Sequence, residues 1–189
     1  MLRNVLSGLS AAALVFAFTA NANAQNLCDY DCEGSTLCEV VIDGVTVVMG
    51  GVNFMDGSDP KDVSDTEKVV TIKCKELNVQ DREKKNKGTA TNDEDQESTI
   101  TLTSNSADGV PFYPASAVVK SFVRLEMNGK KYTTKDPLVL KSVDKISSWP
   151  SEDAVEYELA KDVTFTTNDA TDSRITFTAG STATMKAAQ

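Results

Sequence analysis

Cys38-Glu39-Val40-Val41-Ile42-Asp43-Gly44-Val45-Thr46-Val47-Val48-Met49 is the stretch that decides the fold class. Cys38, Val40 and Ile42 alternate with Glu39, Val41 and Asp43, the period of two that a strand shows when one face is buried. Asp43-Gly44 tolerates the positive φ angles of a type I′ turn, and Val45, Val47 and Met49 resume the alternation beyond it. The stretch predicts a β-hairpin. After Gly50-Gly51, Val52 to Met55 adds a short strand.

The same period recurs downstream. In 69–79, Val70, Ile72 and Cys74 share one face while Leu77 and Val79 have the opposite parity, so a β-bulge is expected near Lys75-Glu76. Residues 98–104 place Ile100 and Leu102 inward and Thr99, Thr101 and Thr103 outward. A hairpin from Val118 to Thr134 turns at Asn128-Gly129, with Val119, Val123, Leu125 and Met127 on one side and Lys120, Arg124 and Glu126 on the other. Strands follow over 137–143, 155–166 and 174–185. Ser151-Glu152-Asp153 resembles a helix cap, but the alternation continuing to Phe165 favours strand. Eight or nine short strands predict an all-β fold: an antiparallel β-sandwich, immunoglobulin-like or Greek-key, stapled by disulfides. Residues 25–189 form one domain, and 78–97, rich in both charges, is read as a long mobile loop.

Residues 1–24 carry the tripartite order of a cleavable secretory signal. Arg3 precedes an uncharged apolar run from Val5 to Ala20, and Ala22-Asn23-Ala24 offers small residues at the cleavage positions before Gln25. The run falls short of the ~20 residues a membrane-spanning helix needs, and no later stretch is apolar enough. A secreted or periplasmic location follows as the expectation. The processed chain would keep all 28 acidic residues and 18 of the 19 basic ones, a net charge of −10 that repels nucleic acid. There is no histidine. This removes His-based triads, His-ligated zinc and the usual neutral-pH proton shuttle.

In an oxidising compartment the four cysteines, Cys28, Cys32, Cys38 and Cys74, read as two disulfides. Cys38 with Cys74 is the preferred long bridge because both fall on strands, leaving Cys28 with Cys32. The long bridge would close a loop of about 35 residues, stabilising by roughly 3–4 kcal/mol in the chain-entropy treatment. The spacing lacks the C-x-x-C knuckles of a zinc ribbon.

Asp56, Asp59, Asp62 and Asp65 crowd ten residues and form a calcium candidate, without the order of an EF-hand loop. The alternative use of such a run is a solvated loop. Tyr113, Trp149 and Tyr157 are the aromatics able to stack on sugars, although loop or core packing accounts for them equally. Glu156 and Glu158 alternate with core residues as ordinary solvent-facing positions do, so no paired acid and base stand out. Ser58-Asp59-Pro60-Lys61 matches S-x-x-K in letters only.

The expectation is therefore a non-enzymatic exported protein acting by binding an extracellular or envelope partner, or as an envelope component. It has no cofactor and no nucleic-acid partner, and homo-oligomerisation is left open. The alternatives are a calcium- or carbohydrate-binding module and, third, a carboxylate-based hydrolase.

Overall fold

The computed structural model describes residues 30–105, 111–167 and 173–188. The expected signal peptide and Cys28 lie outside them. The described residues form fourteen strands and no helix. The first hairpin is much longer than its alternating centre suggests. β1 (Tyr30–Ile42) pairs with β2 (Val45–Gly57) along its full length, turning at Asp43 (φ 47°) and Gly44 (φ 86°). β3 (Lys61–Ser64) is a short flap on β4 (Glu67–Asp81). There follow β5 (Lys87–Asn92), β6 (Ser98–Ser104), β7 (Ala115–Ser121), β8 (Val123–Met127) and β9 (Lys130–Tyr132). β10 (Leu138–Ser142), β11 (Val155–Leu159), β12 (Val163–Thr166), β13 (Arg174–Phe177) and β14 (Thr182–Ala187) complete the chain.

All pairings are antiparallel, and they close. Following the hydrogen bonds from β1 through β2, β4, β6, β7, β10, β11 and β14 returns to β1, giving an eight-stranded barrel. The expected sandwich is corrected here. A sandwich needs two sheets with free edges, whereas each of these eight strands is paired on both sides and the ring has no edge strand. Alternation of period two describes the inner face of a barrel as well as that of a sandwich, so the pattern alone does not separate them.

The long strands do double duty. β1 gives residues 32–37 to β14 and 40–42 to β13, while β4 gives 67–72 to β6 and 77–80 to β5. β5, β8 and β9 on one side and β12 and β13 on the other therefore form an annex beside the barrel. Reciprocal backbone bonds between Thr133 and Thr166, both 2.9 Å, join its two halves.

Two apolar cores result. One lies inside the barrel around Val70, Ile100, Leu102, Ala117 and Tyr157. The other lies under the annex around Val40, Met49, Leu125, Phe165 and Ile175. The inward sets of the hairpin centred on Asn128-Gly129 and of β11–β12 are buried as the alternation requires. The expected bulge is present: Phe54 pairs with Glu76 and Met55 with Cys74, leaving Lys75 as the extra residue.

Three readings of the sequence need correction. Residues 78–97 are not a long loop, because 78–81 complete β4 and 87–92 are β5. Gly88, Thr89, Ala90 and Thr91 form a strand too small and polar to register as apolar alternation, though Ala90 is buried. Asp81 organises the short turn between these strands, accepting from the backbone N–H groups of Lys85 (2.8 Å) and Asn86 (3.1 Å) and from the Asn86 side chain (2.7 Å). Strand 155–166 breaks at 160–162, and 174–185 breaks around Gly180 (φ 82°), where Ala179 N–H donates to Asp162 (2.8 Å). The third correction concerns the disulfides. Among the described residues no disulfide forms, and Cys32, Cys38 and Cys74 are free thiols. Cys38 faces Met49 and Cys74 faces Met55, six positions apart along β2. That is roughly 20 Å of strand, against the ~7 Å of Cα separation a disulfide tolerates.

Two glycines set the tightness of the barrel. A Cβ at Gly34 would overlap the Thr184 carbonyl oxygen, and one at Gly51 would overlap that of Asn78. Backbone is fixed by its ladder and cannot swing aside as a side-chain tip can. Gly34→Ala and Gly51→Ala are each expected to destabilise by about 2 kcal/mol or more in urea unfolding, whereas Gly50→Ala, whose Cβ would meet only the Thr36 carbonyl oxygen at an ordinary 3.8 Å, is expected to change little. Equal small effects at all three would show that the strands separate freely.

Candidate functional site

The four carboxylates of the acidic run do not converge. Asp56, at the end of β2, is buried, and its carboxylate takes the Lys75 ammonium at 2.5 Å. Asp59 accepts from the Tyr30 hydroxyl (2.8 Å), Asp62 pairs with Lys68 (2.9 Å), and Asp65 lies exposed in the β3–β4 turn. Among the described residues no three Asp, Glu, Cys or His side chains are grouped as a metal ion would need.

The bulge explains the Lys75 contact. Asp31 and Asp56 stand directly opposite on β1 and β2, where two like charges repel. The extra residue on β4 extends its ammonium between them, 2.8 Å from Asp31. Its hydrogen bonds to Asp31 and Asp56 raise Lys75 above its ordinary range, and the bond from Lys75 lowers Asp31. This cluster clamps three strands.

The aromatic candidates are also structural. Tyr157 is buried in the barrel core. The Trp149 ring lies over Gly57 and its indole N–H donates to the Ser58 carbonyl at 3.4 Å. Tyr113 meets Phe112 edge to face at 5.2 Å.

What the sequence reading missed is an interior cavity of about 100 Å³ between the two cores. Its walls come from the places where strands pass from barrel to annex. Thr36 and Cys38 flank the switch on β1, Cys74 and Leu77 that on β4, and Ser121 and Val123 the break between β7 and β8. Leu138, Leu140 and Leu159 supply an apolar wall, with Met55 and Met185 nearby. Thr36 donates to Asn53 Oδ1 and Asn53 Nδ2 donates to the Thr184 carbonyl, both at a long 3.4 Å. No Asp, Glu, Lys or Arg is among the lining residues. The lining reaches the surface at Phe54, which is 40% exposed. A trace of the site is present in the sequence: Thr36 and Asn53 are polar residues in the inward registers of β1 and β2.

Two thiols face this cavity. Burial pushes Cys38 up to about 12, and burial, with a smaller contribution from Glu76, pushes Cys74 up to about 11. Outside the cavity, burial raises Cys32 to about 11, with Asp31 and Asp56 adding to the effect.

The fold and this interior define the molecule as a closed antiparallel β-barrel with an uncharged internal cavity. No protein-family model and no curated protein sequence matches the chain. Among solved structures the chain is similar to DynF from the dynemicin biosynthesis pathway of Micromonospora chersina, with a TM-score of 0.60. Sequence identity is 15%, and the match covers 83% of this chain and 79% of that one. At that identity the likeness is one of fold.

Two outcomes test these sites. Lys75→Met is expected to lower the melting temperature by leaving Asp56 buried without its cation, and adding Asp56→Asn should recover part of the loss. No recovery would show that the ion pair is not the source. In the native protein at pH 8, Cys38 and Cys74 should react with iodoacetamide at least ~100-fold more slowly than in urea, Cys38 the slower, since only the thiolate attacks. Because folding raises these pKa values, this contribution to stability is complete below about pH 8.5, the ordinary thiol value. It is lost as pH climbs to about 11 for Cys32 and Cys74 and about 12 for Cys38. Rapid labelling in the fold would contradict the burial.

Proposed function

We propose that this is an exported, non-enzymatic binding protein whose ligand site is the barrel interior rather than the acidic surface loop. The cavity between the cores is the observation that carries the reading. Binding is favoured over catalysis because the lining residues carry no carboxylate, ammonium or imidazole. Without such groups there is no acid–base pair and no activated nucleophile. The two thiols on the wall, raised by burial to about 12 and about 11, are poor nucleophiles at neutral pH. Export is supported by the tripartite order of residues 1–24. No helix among the described residues is long and apolar enough to cross a membrane.

Expression of the full chain in a bacterial host, followed by fractionation, is expected to give a protein outside the cytoplasm whose first residue is Gln25 on N-terminal sequencing. Native mass spectrometry of that material should show a non-covalent adduct that organic extraction releases. A cytoplasmic, unprocessed chain would overturn export. A processed chain that neither carries an adduct nor takes up any small molecule would overturn the interior site.

A further inference from the structure

We propose that the cavity between the two cores is a site for a small, neutral, mostly apolar molecule that presents one hydrogen-bonding group to Thr36 and Asn53. This rests on the reading of the interior as the ligand site and adds the chemistry of the ligand.

Charge decides the first part. The chain carries 28 acidic and 19 basic residues, yet none of them is among the lining residues. An ion entering such a space loses its hydration and meets no counter-charge, whereas a neutral molecule meets no such penalty. The wall itself decides the second part. Leu138, Leu140, Leu159 and Val119 offer methyl groups, so the bulk of the ligand is apolar.

Ser121, Ser181 and Thr182 also reach the wall, but the polar pair beside Phe54 on β1 and β2 is Thr36 with Asn53. Thr36 and Asn53 hydrogen-bond to each other at 3.4 Å, and Asn53 reaches the Thr184 carbonyl at 3.4 Å. Both bonds are longer than the usual 2.9–3.0 Å or so, so a ligand hydroxyl or carbonyl gains a better bond than it displaces. Size sets the scale. A volume of about 100 Å³ is somewhat below the ~150 Å³ of an engineered apolar cavity that admits benzene. Met55 and Met185, on the wall, are flexible enough to give the remainder. A single ring with one polar substituent is the right dimension.

The test uses four single-ring probes on the processed wild-type protein with labelled methyl groups. Phenol and benzene are neutral, with and without a hydroxyl, while benzoate and benzylammonium carry opposite charges. Methyl NMR is expected to shift Val119, Leu138, Leu140 and Leu159 with phenol and benzene. Phenol should bind at least 5-fold more tightly than benzene and at least 10-fold more tightly than either ion. Thr36→Val with Asn53→Leu should abolish the preference for phenol over benzene while keeping benzene binding. The wild-type comparison stands without that variant if it fails to fold. Either ion binding as tightly as phenol would overturn the neutral-ligand inference and leave the interior site standing. Phenol binding no better than benzene would overturn the polar anchor. If none of the four shifts those methyl groups, the inference and the interior reading both fall.

Discussion

A β-strand has two edges, and every edge must find hydrogen-bonding partners or face water. In this protein β1 gives one whole edge to β2, β4 shares one edge between β2 and the short β3, and each divides its other edge between two neighbours. That division is the constraint on which the architecture rests. Undivided, either strand would leave part of an edge open along its 13 or 15 residues, the kind of edge that recruits other chains. Divided, β1 and β4 carry both the barrel and the annex, and the ring closes. The close approaches at Gly34 and Gly51 follow from this crowding, since a strand serving two neighbours passes nearer to backbone than a side chain allows.

The cavity is a consequence of the same division. Core side chains of the barrel point toward one centre and those of the annex toward another. Between them lie the residues at which strands change partner, and these have neighbours in both cores without filling the centre of either. Cys38 and Leu159 pack with the annex core, Met55, Val119 and Tyr157 with the barrel core and Leu140 with both, and all six line the cavity. The interior space is thus located by topology rather than by a motif.

This explains what was legible in the sequence. The turns at Asp43-Gly44 and Asn128-Gly129, the parity switch at Lys75 and the buried sets of β7, β8, β11 and β12 depend on neighbours within a few residues, and alternation reports them directly. Closure depends on β1 meeting β14, residues more than a hundred positions apart, about which a period of two is silent. β5 was hidden for a different reason: Gly88 lies against Met127, where a Cβ would clash, and Ala90 is buried opposite Leu125, so the strand lacks the bulky residues that announce one. The thiols misled because composition and compartment argue for pairing, while register decides it. A carboxylate count likewise suggested a site at 56–65 that the register of Asp31 against Asp56 turns into a clamp.

The acidic residues have structural work that accounts for several of them. Asp43 is lowered by its bond from the Arg174 backbone and by Ser173, and it ties the first hairpin turn to the start of β13. Burial alone would raise Asp81, yet bonds from the Asn86 side chain and from the backbone of Lys85, Asn86 and Lys84 outweigh it, and they shape the β4–β5 turn. Asp93 is pulled in the same two directions, with bonds from Gln96 and Asp95 and the charge of Arg124 prevailing. Carboxylates that accept backbone N–H groups in turns are satisfied where they stand and have little capacity left for a ligand. The interior presents the opposite case. Thr36 and Asn53 sit in inward registers where a Val or Leu would pack more tightly, and the structure makes only long bonds to them. Polar groups that weaken packing without completing their own hydrogen bonding mark a place where a fold gives up stability, which is what the proposed ligand would recover.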